Sequence, residues 1–74
     1  MSQLSDRVLE VSKPYLGPAA ESFLVRQCKS HLNIDMAALA SANMKDLAKW
    51  VELSGALIMD APKAAELAKK IAAM

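Results

Sequence analysis

Apolar positions recur along this chain at the spacing of helices. Leu4, Val8, Val11 and Tyr15 stand at i, i+4, i+7 and i+11, one face of a 3.6-residue period. This predicts a first helix starting near Ser2–Ser5 and ending about Lys13, where Pro14 removes a backbone donor and restrains its predecessor. Gly17 can take positive φ and Pro18 suits the first turn of a new helix. A second helix is then expected from Pro18 to about Leu32. Its apolar arc holds Ala19, Ala20, Phe23, Leu24, Cys28 and Leu32, and its wet arc Ser22, Arg26, Lys29 and Ser30.

Asn33 and Asp35 supply an exit and a new cap. A short helix over Met36 to Ala40 follows, anchored by Met36 and Leu39. Asn43 and Asp46 stand in a capping-box arrangement before the next helix, expected from Met44 to about Met59. Its main face is Met44, Leu47, Val51 and Ile58, with Ser54 and Gly55 between them. Asp60 caps the last helix, with Pro62 in its first turn. Ala64, Leu67, Ala68 and Ile71 form the inner stripe there; Lys63, Glu66, Lys69 and Lys70 lie outside. The pattern predicts an all-α fold: a compact bundle of four to five helices, orthogonal or irregular, with short connections, filling residues 1–74 as a single helical domain.

Composition sharpens this reading. Of 74 residues 54% are apolar, yet fourteen of those are Ala, which adds little burial but favours helices and close backbone approach. Ten Leu, only four Val and three Ile, and no Thr leave little strand propensity. In so short a chain, burial and chain entropy nearly balance, so the domain needs either tight packing or a partner. The formal net charge is +1, spread evenly over the two halves, so no one-signed field attracts nucleic acid or an anionic membrane. One Cys excludes an internal disulfide. With no basic leader and no apolar run near the ~20 residues of a membrane span, a cytoplasmic protein is expected.

Three groups of residues invite a functional reading. Trp50, Leu53 and Leu57 form an i, i+3, i+7 stripe turned about 100° from the main face of their helix. Leu53 falls among Lys45, Lys49 and Glu52, on what should be the wet side. Either this helix is central and contacted on two sides, or the stripe is a contact surface for a protein partner or a second copy, with Lys45, Lys49 and Glu52 as its polar rim. Cys28 and His31, three apart, could form a thiol–imidazole pair, but no orienting group or oxyanion hole accompanies them. A partly buried His closing a helix end is the plainer account. Lys63, Lys69 and Lys70 make a basic face interrupted by Glu66 and without interleaved aromatics, better explained by the negative end of a helix dipole than by nucleic acid. No cofactor, metal site or small-molecule substrate is implied: two glycines allow no phosphate loop, and one Cys and one His complete no zinc tetrahedron.

The segment VLEVSKPYLGPAAESFLVR, Val8 to Arg26, resembles the opening of a small helical domain found at the ends of bacterial signalling and regulatory proteins, including some protein kinases. The match lies in Tyr15, Leu16, Gly17, Pro18 and Ala20, with Pro14 completing the turn. The later Leu39 and Leu47 fit that helical pattern loosely. The resemblance implies an accessory or interaction role, brings no catalytic residues, and covers about a quarter of the chain. The function expected is therefore protein–protein contact without enzymatic activity. A nucleic-acid-binding regulator using the last helix is the alternative, and a minimal Cys28/His31 enzyme is the third reading.

Overall fold

The computed structural model describes residues 3–74; Ser2, where the first helix was expected to begin, lies outside them. The described chain is all-α, an irregular bundle of α1 (Gln3–Leu16), α2 (Ala20–Gln27), α3 (Met44–Gly55) and α4 (Ala61–Ala72). Short 3₁₀ turns at Gly17–Ala19, Met36–Ala38 and Ser41–Asn43, and a π-helical turn at Cys28–Leu32, join or extend them. Its core is Val8 of α1, Leu24 and Cys28, Met36 and Leu39, then Met44, Leu47, Ala48 and Val51 of α3 and Leu67, Ala68 and Ile71 of α4. The anchors expected in the short third helix and the whole inner stripe of the last helix are buried.

Several boundaries differ from the sequence reading. Helix α1 runs through Pro14 to Leu16. The proline deletes only the hydrogen bond to the Glu10 carbonyl, in the exposed last turn of the helix, where an unpaired carbonyl costs little. Gly17, at φ 60°, stops the helix, because the left-handed conformation ends the ladder at little cost for glycine. Within the predicted turn, then, Pro14, Tyr15 and Leu16 complete α1, Gly17 and Pro18 make the turn, and Ala20 begins α2 buried. The buried line of α1 is Ser5, Val8 and Ser12, whereas Leu4, Val11 and Tyr15 are half-buried. The Ser12 hydroxyl is satisfied by donating to the Val8 carbonyl at 2.7 Å, so a small polar residue can line the core face of α1, which packs on both α2 and α4.

The second helix does not stay α-helical to Leu32. From Cys28 it widens into a π-turn that ends at left-handed Asn33 (φ 55°), whose N–H, with that of Ile34, donates to the Cys28 carbonyl. Ala19 is exposed, while Phe23 and Leu32 are half-buried. The third predicted helix is a single 3₁₀ turn, Met36–Ala38. Asn43 reaches backward: its Oδ1 accepts from the Ala40 N–H at 3.0 Å, and its own N–H donates to the Ala40 carbonyl. Asp60 occupies the cap position of α4 without a side-chain cap bond.

The α3–α4 pair packs most extensively. At its tightest point, a Cβ on Gly55 would lie 3.4 Å from the Ala64 Cβ and 3.3 Å from the Met59 Cε. Beyond Gly55 the predicted helix to Met59 does not continue. Leu57 and Ile58 donate to Ser54 and Gly55, three residues back, so the chain tightens into a turn. Ile58, expected on the inner face, is thereby rotated outward and is 61% exposed.

This packing predicts a size threshold at Gly55. Gly55→Ala should stay within about 1 kcal/mol of the parent, since Met59 is flexible and Ala favours the helix. Gly55→Leu should push α3 from α4 and cost about 1–3 kcal/mol in urea unfolding. Equal stability of the two variants would show that the helices do not need this approach.

Candidate functional site

The end of α3 carries the clearest surface feature. Leu53, Leu57 and Ile58 are the large hydrophobic residues left exposed, at 53%, 86% and 61%, and they lie within one and a half turns of chain. Trp50 is half-buried, and Lys45, Lys49 and Glu52 are exposed around the stripe. Trp50 is held from two sides. The His31 ring stacks on it at 3.9 Å between centroids and 6° between planes, and the Lys49 Nζ stands 5.5 Å from its ring centroid.

Beside this stripe runs a groove of about 470 Å³, between α2 with its π-turn and the C-terminal turn of α3. Phe23, Leu57 and Ile58 line it with Ala19; Arg26 and His31 contribute its titratable groups among the described residues. Gln27, nearly fully buried, joins Ser54 across the groove: the Ser54 hydroxyl donates to Gln27 Oε1 at 2.9 Å. That hydrogen bond ties α2 to α3 and leaves no orphaned side-chain polar group beneath the apolar walls.

The structure thus brings Trp50, Leu53 and Leu57 onto one exposed border. It adds Ile58, Phe23, Arg26 and His31, which the helical projection had placed elsewhere or left unassigned. Gly55 was the available signal for Ile58, since a poor helix former near a helix end marks where the period can stop applying. No comparable signal foretold His31. A uniform 100° step put it between Ala20 and Leu24 as a partly buried residue, whereas the wider π-turn winds fewer degrees per residue and leaves it exposed on Trp50.

Cys28 and His31 are separated by the same local geometry. The Cys28 side chain is fully buried in the core, and burial pushes its thiol up, away from the thiolate needed for attack. His31 faces the Trp50 ring instead. Among the described residues, no group of three or more His, Cys, Asp or Glu side chains gathers to hold a metal ion. No helix among them is long and apolar enough to cross a membrane.

On α4, Lys63, Lys69 and Lys70 are exposed, but Lys70 is drawn into a polar cluster with α1. The Tyr15 hydroxyl donates to Glu66 Oε1 at 2.7 Å, Lys70 pairs with the same oxygen at 3.6 Å, and its Nζ lies 5.1 Å from the Tyr15 ring centroid. The Tyr15 hydrogen bond, followed by the charges of Lys70 and Lys63, holds the Glu66 carboxyl below its ordinary range. Tyr15, and then Glu66, raises Lys70. The basic face is therefore partly neutralised by its own neighbours.

Two measurements follow. Native Cys28 should react with iodoacetamide at neutral pH well over tenfold more slowly than a free thiol, recovering on unfolding; faster reaction would point to an activated nucleophile. For the cluster, a lowered carboxylate stabilises above its unfolded pKa and loses this as pH falls through the folded one. A raised lysine stabilises below its unfolded pKa and loses this as pH rises through the folded one. Tyr15→Phe should therefore lower Tm slightly, with the largest difference at roughly pH 5–9 and a shrinking one on both sides. A pH-independent difference would show that the ring, not the hydroxyl, makes the contribution.

No family model, curated protein or solved structure matches the chain.

Proposed function

We propose that this domain works through protein–protein contact at the C-terminal end of α3, with Trp50, Leu53 and Leu57 as apolar anchors, Ile58 extending them, and Lys45, Lys49 and Glu52 as a polar rim. The observation that carries this reading is the joint exposure of Leu53, Leu57 and Ile58 beside a groove. Full burial of such a side chain is worth about 1.5–3 kcal/mol, and these three forgo a share of it set by their exposure, nearly all for Leu57 and about half for Leu53 and Ile58. Their clustering makes them an anchor set rather than scattered surface residues. The likeness of the Tyr15–Ala20 segment to accessory domains of bacterial signalling proteins supports the same reading, as do the inward thiol of Cys28 and the neutralised Lys70.

Site-specific photo-crosslinking in cells tests it. A photo-reactive residue replacing Leu57 should give discrete adducts, and one replacing Lys63, which does not line the groove, should not. Adding Leu53→Asp should remove those at position 57, with helix content unchanged by circular dichroism. Absence of adducts at position 57 would overturn the contact reading. Light scattering across a concentration series identifies the class of partner: a doubled mass abolished by Leu57→Asp means a second copy, and a constant monomer mass means a different protein.

A further inference from the structure

We infer that the groove between α2 and the C-terminal turn of α3 receives a single amphipathic helix of another protein, which sets an acidic side chain against Arg26. This rests on the contact reading above and specifies its partner.

Charge is the first support. Arg26 lines the groove and has no ion-pair partner among the described residues. Lys29, one turn on, lies 4.0 Å from Asp35. No carboxylate lines the groove. Glu21 faces a separate cleft against α1, beside Leu9 and Lys13. Glu52 projects from α3 on the side away from Ser54, the groove-lining residue two positions on, by a turn of about 200°. An unpaired guanidinium at the edge of apolar walls presents a fork of donors suited to a carboxylate.

Size is the second. Ten side chains line the groove, whereas a standard interface between folded domains engages about 20–30 residues a side. Phe23, Leu57 and Ile58 supply its large apolar side chains, a set that one face of a partner helix with apolar residues at i, i+3 or i+4, and i+7 can cover. The floor supports this occupant as well. The Ser54 hydroxyl already donates to Gln27 Oε1, so an aliphatic side chain laid over it leaves that proton bonded.

The probe is a lactam-stapled helix of about 14 residues with Leu at i, i+3 and i+7 and a Glu one turn from the central Leu, beside a twin carrying Lys in place of Glu. Binding is read from Trp50 fluorescence and from amide shifts at Ser54 and Leu57. The Glu peptide should bind, and the Lys twin about tenfold more weakly. Arg26→Glu, a change at an exposed position, should reverse that order, and Leu57→Asp should abolish binding of both. Equal affinity for the twins, or an order unmoved by Arg26→Glu, would overturn the acidic-helix assignment while position-57 crosslinks still uphold the contact reading. Failure of both peptides alongside persistent crosslinks would overturn a helical occupant. A doubled mass abolished by Leu57→Asp would replace it with a second copy, and loss of the crosslinks themselves would remove the contact reading.

Discussion

The close approach of α3 and α4 governs the arrangement of this domain. The two helices meet through small residues, Ala48 and Gly55 on one and Ala64 and Ala68 on the other, with Leu47, Val51, Leu67 and Ile71 filling the space around them. So short a chain cannot form a thick core of large side chains, and dense packing of small ones is the available substitute. The glycine that permits contact with Ala64 also weakens the helix it terminates. Three-residue hydrogen bonds take over after Gly55 and turn Leu57 and Ile58 toward water. The exposure of Leu57 and Ile58 thus follows from the end of α3 at the residue that approaches Ala64.

Polar residues on core-facing positions fit the same economy of space. Ser5 and Ser12 keep α1 slim where it crosses the bundle, and Ser12 returns its hydroxyl to its own helix. Gln27 is buried yet paired with Ser54, which fixes the end of α2 against the end of α3. Immediately after Gln27 the π-helical segment keeps Cys28 inside and leaves His31 stacked on Trp50. Two neighbouring residues that could have formed a chemical pair are separated by a local change in helical pitch. One serves the core, and the other braces the aromatic at the border of the groove.

At the opposite side of the molecule, Tyr15 couples α1 to α4 through Glu66 and Lys70. These contacts lie at the surface and are individually weak. They draw Lys70 toward Glu66 and Tyr15 and so interrupt the basic face of α4. Around Arg26, Leu57 and Ile58, apolar area instead adjoins a cation with no ion-pair partner among the described residues.

The inner faces were legible because regular periodicity needs only local information. Val8, Leu24, Met44, Leu47, Val51, Leu67 and Ile71 all fall where a constant 100° step places them, and all are buried. The sequence by itself therefore determined the helical class, the main core-facing residues and the Gly17–Pro18 turn. Tertiary structure decided the points where that step changes. Pro14 stays helical because its lost hydrogen bond is exposed, and the pitch widens after Gln27 and tightens after Gly55. Whether Trp50, Leu53 and Leu57 face a neighbour or water depends on where other helices lie. No local pattern encodes that, since exposure is a property of the assembled packing rather than of the helix that carries the side chains.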